Sequence, residues 1–347
     1  MRNSRGINAS LTILSVDTML QYLIIQLDDT SVSYCHYENS KEHSKLIGLE
    51  DLKSAILFAM KENLMIQFLY PNYELPQEYK EVIHSIDHSD IVSSLCEDSV
   101  LKNNADVVVF DDWTGMDTYG FKKDGVYVIR TSKADFFERY LFLLRPLTKV
   151  SRLNVVITDI DTFNNDDFNT YKKILTVLSE KIENLYYEGV FSQLNILTDR
   201  MMLEKMNNCN AGSENITLAP DGKFYICPAF YLADENEDFG LGKAKFSIGD
   251  LVNGLNIKNA QLYKLSYAPI CRNCDAFQCK RCVWLNRKTT YEINTPSHEQ
   301  CVVAHLERNA SRELLNNIRK HREFLPNTRI DEIQYLDPFE VRREWEK

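Results

Sequence analysis

The sequence predicts an α/β protein: a series of parallel β/α units followed by a small cysteine-rich α+β region. Three observations carry this. Up to about residue 205, short continuously apolar runs alternate with amphipathic stretches, the pattern of strands buried on both faces and joined by crossover helices. Beyond that point the chain becomes punctuated by Gly and short hairpin signals. Seven of the nine cysteines also lie after residue 208.

The elements follow in order. "LIIQLDD" (23–29) reads as a strand, and "LEDLKSAILFAMKEN" (49–63) places Leu52, Ile56, Leu57 and Met60 at helical spacing. "LMIQFLYP" (64–71) is a strand ended by Pro71, and "PQEYKEVIHSI" (76–86) is a short helix with Pro76 suited to its first turn. "ADVVVFDD" (105–112) and "GVYVIRT" (125–131) are strands, followed by a helix over 133–147. "RLNVVITDI" (152–160), a helix over 165–189 and "QLNILTD" (193–199) as a strand complete the first half. About six such strands fit a partial or complete β/α barrel, or an open doubly wound sheet. In the second half, 215–230 reads as two strands around a Pro-Asp-Gly turn. The stretch 246–254 is short and Gly-punctuated, and 295–321 reads as one helix with Thr295 as cap and Pro296 at its first position. The expected organisation is 1–205 as the β/α region, 206–325 as the cysteine-rich region and 326–347 as a charged, loosely packed tail.

Composition narrows the function classes. Hydrophobic residues make up 44% and charged residues 26% of 347, and the formal net charge is −10. A nucleic-acid binder carries a basic face; no Lys/Arg run here is long enough to suggest one, and the pair Lys280 and Arg281 is too short to count. No apolar run reaches the ~18 residues of a membrane span. The weak apolar stretch near the N-terminus is interrupted by Asp17 and lacks a small-residue cleavage site, so no signal peptide is expected. A cytoplasmic protein with reduced thiols follows.

In a reducing compartment, close C-x2-C pairs are metal ligands more often than disulfides. "CRNCDAFQCKRC" (271–282) sets four thiols at C-x2-C-x4-C-x2-C. Four or more thiolates suit zinc or an iron–sulfur cluster. Holding them together contributes on the order of 10 kcal/mol in zinc-type sites, so this region is expected to depend on its metal.

Cys209, Gly222 and Cys227 form C-x12-G-x4-C ahead of that cluster, and Cys301 follows it. In number and order these seven cysteines resemble the SPASM domain, the C-terminal extension of many radical S-adenosylmethionine enzymes that modify ribosomally made peptides. The family pattern is C-x9-15-G-x4-C, then C-x2-C-x5-C-x3-C, then a final cysteine, so two spacings here are each one residue short. Residues 274–312 further resemble maturases encoded beside CXXX-repeat peptides. The resemblance implies auxiliary [4Fe–4S] clusters. Cys271, Cys274, Cys279 and Cys301 would ligate one, and Cys209, Cys227 and Cys282 the other. In many members an upstream cysteine completes the second cluster, but none lies between Cys96 and Cys209. Asp275 or His298 could donate instead, unless both are surface polar residues.

The resemblance also implies a radical SAM barrel in the first half, with C-x3-C-x2-C after the first strand. Aligned on the last cysteine, the three positions here are Asp28, Val32 and Cys35. Only Cys35 is a thiol, and it reads as an ordinary strand-end cysteine. The expected fold is therefore a degenerate radical-SAM-like β/α barrel followed by a SPASM-like domain, without S-adenosylmethionine cleavage of its own.

Other candidates are less specific. Asp111 and Asp112 end a strand, where carboxylates bind Mg²⁺ or act as acid and base in β/α enzymes, though such pairs also cap turns. "VITDIDTFNNDD" (156–167) reads as a helix cap. His305 lies one turn past Cys301 and is either near a cluster or a satisfied helix histidine. Two functions follow. One is an accessory component of a peptide maturation system, holding iron–sulfur clusters and binding a precursor peptide or a radical SAM partner. The other is a zinc-binding structural or peptide-docking protein without a redox role.

Overall fold

The computed structural model describes residues 20–39, 43–233 and 246–339. The N-terminal stretch read for a signal peptide, and the last residues of the charged tail, lie outside them.

The first half forms β1 (Tyr22–Gln26), α1 (Leu49–Glu62), β2 (Met65–Leu69), α2 (Gln77–Ile83), β3 (His88–Ser93), α3 (Ser99–Asn104), β4 (Val107–Phe110) and β5 (Val126–Thr131). Next come α4 (Lys133–Arg139), α5 (Leu144–Leu147), β6 (Arg152–Ile157), α6 (Asn165–Tyr187), β7 (Gln193–Leu194) and α7 (Asn195–Met202). The second half adds β8 (Asn215–Leu218), β9 (Phe224–Tyr225), α8 (Pro228–Ala233), β10 (Gly249–Asp250), β11 (Gly254–Leu255), α9 (Val283–Thr290) and α10 (His298–Arg319).

β1 to β9 make one sheet in the order β7-β6-β5-β4-β3-β2-β1-β8-β9, parallel throughout except for the β8–β9 hairpin. From β1 to β7 the order follows the chain without reversal. After β7 the chain returns to the other side of β1, where β8 and β9 extend the sheet. Because β/α crossovers are right-handed, helices added in one direction collect on one face. Leu23, Ile25, Phe68, Val108, Phe110, Ile129 and Leu153 face those helices in the main core. Ile24, Leu69, Ile91, Val109 and Val128 line the opposite face with Val32. β8 pairs with β1, so the sheet runs on past residue 205. α10 buries Val302, Val303, Leu306, Leu314, Leu315 and Ile318 in the same main core.

Several elements differ from expectation for physical reasons. "QLNILTD" is two residues of strand and then helix. Asn195 Oδ1 accepts from Val155 N (2.8 Å) and Asn195 Nδ2 donates to Val155 O (2.9 Å). The side-chain amide thus replaces the backbone on β6, and the chain can turn. The helix over 133–147 breaks into α4, a 3₁₀ turn and α5, as Pro146 removes an i→i−4 bond and crowds that carbonyl. α1 buries Leu52, Ala55, Ile56 and Ala59, leaving Leu57 and Met60 exposed. β3, α3 and α9 carry no signal read above, and the second strand expected within 215–230 is only Phe224–Tyr225, with Pro228 opening α8. α10 is capped by Ser297, whose Oγ accepts from Gln300 N (3.2 Å), two residues after Thr295. The Pro-Asp-Gly turn forms as expected, with Gly222 at φ +77°. The tail packs more firmly than expected as far as residue 339, since Ile330 and Asp337 are buried and Asp337 accepts from His298 Nδ1 (2.6 Å).

Candidate functional site: two groups of thiols

Cys271, Cys274, Cys279 and Cys301 line one cavity of about 230 Å³. A 3₁₀ turn over Cys271–Asn273 brings the first two together, closed by Cys274 N donating to Cys271 O (3.1 Å). Cys301 enters from the first turn of α10, which Ser297 starts. Sulfurs that bind metal accept backbone N–H groups, which stabilise the thiolate. Here Ala276 N donates to Cys274 Sγ and Arg281 N to Cys279 Sγ, each at 3.4 Å. The four sulfurs lie within electrostatic reach of one another in every pairing. Burial pushes the Cys271 thiol up to about 11 and Cys279 up to about 12, and raises Cys274 and Cys301 as well. The free thiols are therefore neutral near pH 7, and a metal would have to displace their protons.

His305 is satisfied and also touches this group. Its Nδ1 donates to Leu336 O (2.5 Å), so the neutral ring offers its Nε2 lone pair to the Cys274 thiol at 3.6 Å. Burial lowers the pKa of this ring. Asp275 and His298 do not join the thiols. Asp275 is clamped by Arg308 (2.7 and 2.6 Å) and Arg200 (3.1 Å). Burial alone would raise its carboxyl, but these bonds outweigh it and hold it below the usual range. His298 pairs with Asp337.

Cys209, Cys227 and Cys282 form the second group. Cys209 follows α7, Cys227 stands just before α8, and Cys282 caps α9, its Sγ accepting from Leu285 N (3.5 Å). Cys209 and Cys227 accept from Ala211 and Ala229 N–H groups. The loop after β1 brings Cys35 to the same place, so Cys35 is not an isolated strand-end thiol. The Cys35 thiol is raised well above its usual value by burial and by Cys209 and Cys282, and Cys227 feels Cys209, Cys282 and Cys35. Among the described residues, no three His, Cys, Asp or Glu side chains converge as one metal ion requires. In the first group the thiols surround a cavity instead of meeting at a point.

Arg281 lies between the groups and escaped the sequence reading, which weighed it only as half of a basic pair. It is 1% exposed and sits at φ +43°. Nε donates to Asn208 Oδ1 (2.7 Å) and Nη2 to Tyr263 O (2.5 Å), while Nη1 is buried without a partner. Its charge acts on Cys271 and Cys279 of one group and Cys209 and Cys282 of the other.

At the sheet's C-terminal edge, Asp28 and Val32 are both engaged within the fold. Asp28 is buried; its Oδ1 accepts from Thr30 N and Oγ1 (2.8 and 2.6 Å), and its Oδ2 from Ser44 Oγ (2.8 Å) and Tyr73 Oη (3.0 Å). Val32 packs into the apolar face formed by Ile24, Leu69, Ile91, Val109 and Val128. Asp111 and Asp112 part company: Asp111 accepts from Arg130 Nη1 (2.7 Å), and Asp112 closes a turn on Thr114 N (2.7 Å). They do not form a paired-carboxylate site. The acidic 156–167 stretch caps α6 through an Asn164–Asp167 capping box, as expected.

This chain shares its fold with anSMEcpe. A histidine-tagged anSMEcpe with bound AdoMet matches with TM-score 0.57 at 14% identity, over 86% of this chain and 99% of that one. Native anSMEcpe with bound AdoMet and a Cp18Cys peptide matches with TM-score 0.56 at 13% identity, over 87% and 99%. No protein-family pattern and no curated protein matches the sequence. No helix among the described residues is long and apolar enough to cross a membrane.

Proposed function

We propose that this chain is an accessory or maturase component of a ribosomal-peptide modification system. It holds iron–sulfur clusters in the cysteine region, binds a precursor peptide or a radical SAM partner, and does not cleave S-adenosylmethionine alone. The observation that carries this is the ring of Cys271, Cys274, Cys279 and Cys301 around one cavity, with sulfurs already accepting backbone N–H groups. The donor set fits a polynuclear group better than one zinc. With Zn–S bonds of about 2.3 Å, four sulfurs lie within about 4 Å of each other, and no such convergence exists among the described residues. In a cluster each thiolate binds a different iron, so the sulfurs stand farther apart. The partnerless Nη1 of Arg281 is a second sign of fit, because a buried cation needs nearby negative charge.

Such clusters, when bound, relay electrons or hold a fold together. The residues here bring the thiols together and place one guanidinium between the groups. With Val32 in the apolar face and Asp28 fully bonded, the loop after β1 offers one thiol, Cys35, where a reactive cluster takes three. The shared fold with anSMEcpe, a protein seen with a bound peptide, supports a peptide as partner, and the sheet as a degenerate radical SAM barrel carrying a SPASM-like region. Two measurements test this. Anaerobically purified protein should contain iron and acid-labile sulfide and absorb broadly near ~400 nm; stoichiometric zinc without sulfide would establish the zinc reading instead. Reduced, iron-loaded protein should release no 5′-deoxyadenosine from S-adenosylmethionine above a buffer control, and sustained release contradicts the accessory role.

A further inference from the structure

The second group of thiols needs a fourth member, and the fold supplies one from the other end of the chain. We propose that Cys35 is the fourth thiolate of the Cys209, Cys227 and Cys282 site, and that this site takes an iron–sulfur cluster ligated from both the loop after β1 and the cysteine-rich region. The inference rests on the cluster-binding reading above and adds a ligand to it.

The geometry comes from the sheet. β1 and β8 are parallel neighbours, paired from Tyr22↔Asn215 to Ile25↔Leu218. The loop leaving β1 emerges beside the turn after β8, and Val32 brings it back onto the apolar face over Ile24. Asn215 Nδ2 donates to Cys209 O (2.8 Å), tying Cys209 to the start of β8. Tyr231 Oη, on the helix after Cys227, donates to Asp29 Oδ1 (2.5 Å), tying that helix to the loop after β1. Cys209 N donates to Lys280 O (2.8 Å), drawing in the strand of chain that ends at Cys282.

Cys35 is held in place from its own side. Arg130 Nε donates to Cys35 O (3.0 Å) and Arg130 Nη2 to Tyr37 O (2.5 Å), with Asp111 bonded to the same guanidinium. His36 Nδ1 donates to Ile157 O (3.0 Å) at the end of β6. Cys35 and the two residues after it are thus fixed to the sheet edge. All six pairings of the four sulfurs lie within electrostatic reach, just as in the first group. Cys35, Cys209, Cys227 and Cys282 belong to the main core cluster, whereas Cys271 and Cys274 belong to a small separate one. Cys96 stays outside both groups, its Sγ donating to Asp98 O. Eight of the nine thiols therefore divide into two sets of four.

On ligation each thiol loses its proton to solvent and its sulfur binds one iron, with no change in the oxidation state of the sulfur. The test uses the full chain, reconstituted anaerobically with ferrous iron and sulfide, and compares Cys35→Ser, Cys35→Ala, Cys209→Ala and Cys96→Ala. The expected result is that both Cys35 variants lose about half of the iron and sulfide, or convert that share to a three-iron form visible by electron paramagnetic resonance. Cys209→Ala should show the same loss, the Cys35/Cys209 double variant should add nothing further, and Cys96→Ala should match the parent. In parent protein, alkylation read by mass spectrometry should leave Cys35 protected until a chelator strips the iron. Full iron and sulfide in both Cys35 variants beside a loss in Cys209→Ala, or Cys35 alkylated equally before and after stripping, overturns Cys35 as a ligand while leaving the clusters in place. A parent that takes up no iron and sulfide overturns the cluster reading itself, and this inference with it.

Discussion

Arg281 shows what spacing can and cannot reveal about a residue. In C-K-R-C, the two residues between Cys279 and Cys282 are both cations, and nothing in the pattern says which one turns inward. The backbone decides it. Arg281 adopts φ +43°, a left-handed conformation that costs a non-glycine residue about 1–2 kcal/mol. Its side chain is buried between the thiol groups, while Lys280 stays exposed. A buried ion without compensation costs several kcal/mol; Nη1 has no hydrogen-bond partner, and thiols of both groups lie within electrostatic reach of the guanidinium. Negative thiolates in a loaded protein supply that compensation; neutral thiols in a stripped one do not. Replacing Arg281 by Met, of similar length, should therefore cost little in stripped protein and weaken iron retention in loaded protein. Removing one partner of a buried charge pair typically costs about 3–5 kcal/mol. Chelator titration followed by absorbance checks this: the Arg281→Met curve should shift to lower chelator, and coincident curves would show that Arg281 serves packing alone.

Elements were legible where one sequence signal dominated. The apolar runs of β1, β2, β4, β5 and β6, the amphipathic face of α6 and the Pro-Asp-Gly turn were readable because each carries its own pattern. β3 was not, because His88, Ser89 and Asp90 make its first half polar and only the end of the strand is buried. The strand expected at 193–199 failed through Asn195, a side-chain substitution for a backbone ladder that periodicity cannot register. The thiols of the candidate site were all visible as residues, but their grouping was not. Cys35 comes within electrostatic reach of Cys209 through contacts between segments far apart in the chain, which no local spacing displays. α6 matters here because it packs against α10, which carries Cys301. Its start is fixed by Asn164, whose Oδ1 accepts from Asp166 N (2.9 Å) and Asp167 N (3.2 Å). Asn164→Ala should lower stability by about 1 kcal/mol in a denaturant titration. Burial would raise the Asp167 carboxyl, but Lys133 and Asn164 N–H bonded to it hold it below its ordinary value. Its folded pKa is thus below the unfolded one. The stability it contributes is complete above an unfolded value of about 3.9 and is lost as pH falls through the folded value. Asp167→Asn should flatten the acid limb of the stability curve below about pH 4; an unchanged limb would show that the Lys133 bond does not form in solution.

At the scale of the whole molecule, the question is whether the cysteine-rich region is a separate unit held by metal. The sequence suggested so, from the change of texture near residue 205. In the structure, β8 extends the main sheet through β1, and α10 buries six large apolar side chains in the main core. At about 1.5–3 kcal/mol for each buried side chain, α10 is anchored by something on the order of 10 kcal/mol before any metal binds. The segment around Cys271 is different. Met206, Ala268 and Cys271 form a small core of their own, with only Leu265, Ile270, Cys274 and Phe277 packed against it, and the segment between β11 and α9 is built of short 3₁₀ turns. Metal dependence should therefore be local. After chelation, or in Cys274→Ser, limited proteolysis should cut within about residues 256–282 and leave α10 uncut and attached to the β/α layers. Mass spectrometry of the fragments, run under native conditions, reads this directly. If stripping instead releases everything after about residue 205 as one digestible piece while an N-terminal fragment survives alone, the two halves fold independently and the shared core does not hold them. If the whole chain resists protease with or without iron, the thiol region stands by its own packing, and any cluster there serves function and not folding.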